Sequence, residues 1–106
     1  MANFINRVAN DVGTTASLLY SDSSNKSILI GINLSNKTGS TVPVHVYLTK
    51  SSVNYHIIVG KRIPPGESVE LMLGNKIVIE ANDQLYVKAD INASLDVVAS
   101  LLHGVD

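Results

Sequence analysis

The chain has 106 residues, 45% of them hydrophobic and 16% charged, with no cysteine, no tryptophan and a formal net charge of −1. That length supports one domain, and the missing cysteines exclude disulfides, zinc–thiolate and iron–sulfur sites and thiol nucleophiles. The near-neutral charge speaks against nucleic-acid binding, which needs a cationic surplus to displace counterions from phosphate. Val, Ile and Thr number 13, 10 and 5 against 7 Ala, a composition suited to strands because branched Cβ atoms fit a pleated surface and crowd a helix.

In chain order, the first segment is ambiguous. Phe4, Ile5, Val8, Ala9 and Val12 fit a helical stripe, but Asn3, Asn6 and Asn10 lower helix propensity and the segment is short. Residues 1–12 are therefore read as an N-terminal arm, helical or extended, or as an edge strand. They either close their own sheet or dock on a neighbouring subunit. Residues 13–106 form the domain proper. Gly13–Tyr20 is a weak strand candidate, followed by the polar turn Ser21-Asp22-Ser23-Ser24-Asn25.

Period-two alternation then dominates. It places Ile28, Ile30, Ile32 and Leu34 on one face, and Val42, Val44, Val46 and Leu48 on one face opposite Pro43, His45, Tyr47 and Thr49. Tyr55/Ile57/Val59, Val69/Leu71/Leu73, Leu85/Val87/Ala89 and Leu95/Val97/Ala99/Leu101 repeat the pattern, with a short strand at Lys76–Glu80. Between them, Pro64-Pro65-Gly66 is a stiff turn, Leu73-Gly74-Asn75-Lys76 reads as a two-residue hairpin, and Ala81-Asn82-Asp83-Gln84 is a further turn. About eight short strands with such spacing predict an all-β fold, a single antiparallel β-sandwich of jelly-roll or immunoglobulin-like type.

Chemistry is sparse in the pattern. His45, His56 and His103 have no second histidine or carboxylate at a spacing that converges on their own strand face. General acid–base work needs such a partner, so His45, beside Tyr47, reads as a surface or interface residue. The loop Asp22-Ser23-Ser24-Asn25 and the pair Asn82-Asp83 lack the regular acidic spacing of a calcium loop, and turn chemistry explains them. No phosphate-binding glycine loop, nucleophile elbow or zinc-binding helix motif occurs. The reading is no enzyme, no cofactor and no metal. Met1–Arg7 has no continuous apolar core for a secretory signal, and the longest apolar run, Ile28–Ile32, falls short of the roughly 20 residues of a membrane helix. Synthesis in a cytoplasm, with no membrane partner, is the expectation.

The order of segments carries a resemblance. Val12-Gly13-Thr14-Thr15, Ile30-Gly31-Ile32-Asn33-Leu34-Ser35-Asn36, Ile63-Pro64-Pro65-Gly66-Glu67-Ser68 and Glu80-Ala81-Asn82-Asp83-Gln84-Leu85 are similar to the small β-sandwich virion proteins of tailed bacteriophages, notably those infecting cyanobacteria. The resemblance spans nearly the whole chain. It implies a virion structural protein without catalytic residues, made in the host cytoplasm. Capsid decoration or cement and a head–tail component are both open. The implied partners are other virion proteins (major capsid or tail subunits) and further copies of the chain in a homo-oligomer. Phe4, Ile5 and Val8 are the first candidate interface, and His45 with Tyr47 the second. The rival reading is a carbohydrate- or host-surface-binding sandwich of a tail fibre or baseplate, with Tyr47 or Tyr55 as the contact.

Overall fold

The computed structural model describes residues 2–72 and 75–105, and among them the strands number nine. They are β1 (Asn3–Val12), β2 (Ser17–Ser21), β3 (Ser27–Asn36), β4 (Val42–Lys50), β5 (Val53–Ile63), β6 (Ser68–Glu70), β7 (Ile77–Ile79), β8 (Gln84–Ala89) and β9 (Leu95–His103). One sheet runs β1-β9-β3, with β6 and β7 both on the far side of β3; the other runs β2-β8-β4-β5. Every pairing is antiparallel. The pairs nest: β4 with β5, β3 with β6 and β7, β2 with β8, β1 with β9. The chain is thus one long hairpin, folded across two sheets as a jelly roll. The all-β sandwich expected from the alternating pattern is the observed fold.

The alternating runs of β4, β8 and β9 supply the centre of the core. Val42, Val44, Val46, Leu85, Val87, Ala89, Leu95, Val97, Ala99 and Leu101 are all buried, with Leu29, Ile32 and Leu34 of β3 against them. Burial of these side chains is the main favourable term in a chain without disulfides. Among the described residues the buried polar ones, Ser27, Asn36, Asp83 and Ser94, all have partners. Tyr20 and Ser27 share a 2.6 Å hydroxyl contact, for example, and Ser94 Oγ donates to the Ile91 carbonyl at 2.6 Å.

In four places the structure departs from strict alternation, each for a physical reason. In β3, Leu29 pairs with Leu101 and Gly31 with Ser100, so Ile30 is an extra residue, a β-bulge. A one-residue slip exchanges faces: Leu29, Ile32 and Leu34 point inward, whereas Ile28 and Ile30 do not share the core face expected for them. β2 is shorter than the Gly13–Tyr20 candidate, because Gly13 and Thr14 form a turn docked on Asn92, which accepts from Thr14 N–H at 3.2 Å and Thr14 Oγ1 at 2.9 Å.

The edge next to β3 is also broken into two pieces. β6 and β7 lie end to end along β3 and are not partners in a hairpin. Leu73 and Gly74 of the expected turn lie outside the described residues. At the gap, Glu70 Oε2 accepts the Ile32 N–H at 2.9 Å and Leu71 N–H donates to the Ile32 carbonyl at 2.9 Å, so that residue's backbone groups stay satisfied. Finally, β4 and β5 are joined by Ser51 and Ser52, both with positive φ (52° and 66°). This is the geometry of a type I′ turn, built without the Asn-Gly pair that advertises one.

The first dozen residues resolve as strand. β1 pairs with β9 from Asn3 to Ala9 without interruption, then past a bulge to Val12. The arm is the sandwich's own edge strand, continuous with its sheet, and residue 12 separates no unit from the rest.

Candidate interaction surface

On a strand, residues two apart share a face, which divides the first candidate group. Phe4 and Val8 point outward and are 79% and 67% exposed, while Ile5 turns inward and packs with Ala9 against the core. Ile5 is therefore a core-flanking residue. The helical stripe that grouped the three does not form, because β9 provides a backbone partner along the segment.

The outward side chains of β1 continue across the sheet. Val8 faces Val98, which is 46% exposed, and Phe4 faces Leu102, which faces Ile28, which faces Val78, itself 50% exposed. The β3 bulge brings Ile28 and Ile30 to this outer surface. Phe4, Ile5, Asn6, Ile30, Ser100 and Leu101 line an open hollow of about 420 Å³. An exposed apolar row across a sheet face is the kind of surface that binds a macromolecule.

The second candidate group sits on the outer face of the other sheet. Tyr47 stands in a ladder between Tyr86 (ring centroids 5.5 Å apart, stacked) and His56 (5.0 Å). The three rings belong to β8, β4 and β5 and are directly paired in register. His45 is not free for a partner in the same way. Its Nε2 is 3.0 Å from Asp90 Oδ1, and its Nδ1 accepts the Gly60 N–H at 3.0 Å. That acceptor role assigns the neutral ring proton to Nε2, which donates to Asp90. Gly60 has φ +66° in the irregular part of β5, so His45 secures that irregularity.

Two His–carboxylate pairs thus exist that local spacing does not reveal: His45 with Asp90, and His103 with Asp22 at 2.5 Å. Their members are 45 and 81 residues apart, and only the nested topology brings them together. Asp22 also accepts the N–H groups of Ser24 (2.8 Å) and Asn25 (3.1 Å). These backbone donors, Ser24 foremost, and then His103, hold its carboxyl well below the usual carboxylate range. The oxygen-rich loop is accordingly an Asx turn tied to β9.

Elsewhere Lys37 bridges Asp11 and Asp96, and Lys50 bridges Glu80 and Asp83. Donating hydrogen bonds to these carboxylates raises the pKa of both ammonium groups, Asp11 and Asp83 being the main partners, and Lys37 lowers that of Asp96. Among the described residues no group of three or more His, Asp or Glu could hold a metal ion. A second hollow, about 250 Å³, is lined by Ile57, Ile58, Leu71, Met72, Asn75 and Ile77; among the described residues neither hollow has a titratable side chain in its wall. Among the described residues no helix is long and apolar enough to cross a membrane.

No family model and no curated protein matches the chain. Solved structures do. A structure of the disulfide-linked pili that form Bacillus endospore appendages superposes with a TM-score of 0.60 at 14% identity, covering 98% of this chain and 86% of that one. The nucleoplasmin-like N-terminal domain of Drosophila FKBP39 superposes with a TM-score of 0.53 at 15% identity, covering 100% and 93%. At such identities the likeness establishes the β-sandwich fold alone. The disulfide linkage of the Bacillus pili has no counterpart here, since this chain has no cysteine.

Proposed function

We propose that the chain is a non-enzymatic structural subunit of a tailed-phage virion, a capsid decoration or cement protein or a head–tail component. It binds other virion subunits and further copies of itself. The observation that carries the reading is the row Phe4, Leu102, Ile28 and Val78, with Val8 and Val98 beside it, displayed on the outer face of a sandwich whose own core is complete. Covering such a row stabilises an assembly by about 25 cal/mol for each Å² of apolar surface removed from water. The similarity of the chain's segments to virion β-sandwich proteins supports the same reading. The test is mass spectrometry of gradient-purified particles of the phage that encodes the chain. The chain is expected in fixed ratio to a capsid or tail subunit. Recovery only in the unassembled lysate overturns the proposal.

One observation favours a second reading, a carbohydrate- or host-surface-binding module of a tail fibre or baseplate. The Tyr86–Tyr47–His56 ladder lies on an outer face, and Tyr55 on β5 is 56% exposed. This reading expects glycan-array binding that falls when Tyr47 or Tyr55 becomes Ala. An array without hits removes it.

A further inference from the structure

Each sheet of the sandwich ends in two edge strands, and the four edges are not alike. β2 has five residues and a register shift, β5 meets β4 across two shifts, and β6 and β7 offer three residues each. Short pieces and bulges of this kind prevent edge-to-edge pairing. β1 is the exception. From Asn3 to Ala9 it runs in unbroken register on β9, without proline, until the bulge and Asp11 (φ 53°) bend it away. These seven regular residues have Asn6 at their midpoint.

The free side of this stretch can be identified. The Asn6 carbonyl accepts from the exposed Arg7 guanidinium at 2.8 Å, which places it on the side away from β9. In an antiparallel ladder a residue's N–H and C=O point the same way and alternate along the strand. Phe4, Asn6 and Val8 therefore all present their backbone groups to the open edge. The sequence is also self-complementary about Asn6: in a twofold antiparallel pairing Phe4 faces Val8 of the second copy, Asn6 faces Asn6, and Val8 faces Phe4. An isologous contact requires this relation, and an aromatic side chain opposite a β-branched one is a favourable cross-strand pair.

We infer that two copies of this chain join through their β1 edges, antiparallel and centred on Asn6, into one continuous sheet across a twofold axis. The three outward residues of each copy exchange roughly six backbone hydrogen bonds. The Arg7 guanidinium yields the Asn6 carbonyl to the N–H of the facing Asn6 and keeps a charge at the edge of the unpaired monomer. The dyad also brings the two rows of exposed apolar residues side by side on one outer face. The contact spans about 24 Å of strand, a small interface, so the dimer is concentration-dependent. The inference rests on the reading of the chain as an assembling subunit and names the contact.

The test uses the purified full chain. Sedimentation from about 1 µM to about 1 mM, the range in which contacts of this size dissociate, is expected to show a monomer–dimer equilibrium. Because the chain has no cysteine, Asn6→Cys introduces a single thiol that meets its twofold mate at a Cα separation of about 5.5 Å, within disulfide range. The two copies of a Val8→Cys thiol are about 13 Å apart. Asn6→Cys should therefore oxidise to a covalent dimer at least tenfold faster than Val8→Cys. Register is tested by charge: Phe4→Lys and Val8→Glu each abolish the dimer, and the combined variant restores it, because each new ammonium faces a new carboxylate across the dyad. Circular dichroism confirms that the variants fold, as the exposure of both sites leads one to expect. A monomer throughout the range, equal cross-linking at positions 6 and 8, or a double variant no better than the singles overturns the inference. Particle mass spectrometry reads the virion assignment separately: cross-linking at position 6 without virion incorporation overturns that assignment alone, and the reverse overturns the β1 contact alone.

Discussion

Replacing Asn36 by Ala isolates the polar joint on which the loops at one end of the sandwich converge. The side chain is buried at the end of β3. Its Nδ2 donates to the carbonyls of Ser40 (2.7 Å), Ile63 (2.9 Å) and Pro64 (3.2 Å), and its Oδ1 accepts from Thr38 N–H (2.9 Å) and Thr38 Oγ1 (2.8 Å). One amide thus fastens the β3–β4 loop to the end of β5. Two donated hydrogens and two accepted ones are lost in the alanine variant, at about 1 kcal/mol each. The Ser40 carbonyl and the Thr38 groups near the surface regain water, which leaves a net loss of about 3 kcal/mol. Asn36→Asp sharpens the test, because a carboxylate keeps the Thr38 bonds but turns an acceptor toward three carbonyls. Its folded pKa is raised above the unfolded value of about 3.9. Its penalty is therefore absent below that pH and grows by about 1.4 kcal/mol per unit as pH rises toward the folded pKa. Urea denaturation at pH 7 and pH 4 measures both. The expected order at pH 7 is wild type, then Asn36→Ala, then Asn36→Asp, with the Asp variant recovering toward the Ala variant at pH 4. A loss under about 1 kcal/mol for Asn36→Ala, or a pH-independent Asp variant, would refute the joint.

Three other outcomes test separate parts of the reasoning. Ser52→Gly should stabilise the fold by about 1 kcal/mol, because Gly relieves the positive φ of the β4–β5 turn, and a lower urea midpoint would contradict the type I′ assignment. Ile32→Ala should cost about 3 kcal/mol and Ile30→Ala less than about 1 kcal/mol, since the bulge separates a buried site from an outward one; equal losses would mean that no bulge is present. Asp22 has a folded pKa held below its unfolded value, so its contribution is present above about pH 4 and is lost as pH falls. Asp22→Asn should flatten the acid limb of a stability–pH profile, and an unchanged slope below pH 4 would remove the Ser24 and His103 explanation.

The legible part of the fold was the part governed by period two. Val42, Val44 and Val46, Leu85 to Ala89 and Leu95 to Leu101 alternate in sequence and are buried as the alternation demands. The first and last of these strands lie in different sheets, and their pairing depends on contacts that no local pattern encodes. Bulges account for most departures from the period-two pattern. An extra residue at Ile30 reverses the faces of β3, and nothing in Ile28-Leu29-Ile30-Gly31-Ile32 distinguishes it from a continuous run except Gly31. The Ser51-Ser52 turn escaped because its strained φ values are held by the flanking ladder, without the residues that adopt them cheaply. The same applies to the candidate surface. Phe4 and Val8 are recognisable as apolar residues near a terminus, but their separation from Ile5 follows only once β9 fixes the segment as strand. His45 lies on the strand face that alternation assigns to it, while its engagement with Asp90 and Gly60 depends on the topology.

The treatment of the four edges links these observations. A sandwich leaves edge strands unpaired by construction, and an edge that is long, regular and apolar invites another chain. Here three edges are interrupted by devices that local sequence can barely specify: two register shifts in β5, one in β2, and a gap between β6 and β7 closed by the Glu70 carboxylate on Ile32 N–H. The gap makes the contrast with β1 clear. At β3 the Glu70 carboxylate stands in for an absent strand on the Ile32 N–H, and the edge is thereby closed to newcomers. At β1 the corresponding stand-in is an exposed arginine on the Asn6 carbonyl, whose guanidinium also lies 5.7 Å from the centre of the Tyr20 ring; a facing backbone N–H replaces the carbonyl contact in kind, and the guanidinium keeps its place over the ring. The difference between an edge that is sealed and one that is lightly covered is therefore one of placement: Glu70 reaches Ile32 from β6, which is already paired with β3, whereas Arg7 belongs to the open edge strand itself. Arg7→Ala, which uncovers the carbonyl without touching the β9 ladder, should strengthen self-association, whereas an arginine that merely decorated a monomer could be removed with no change in mass at any concentration.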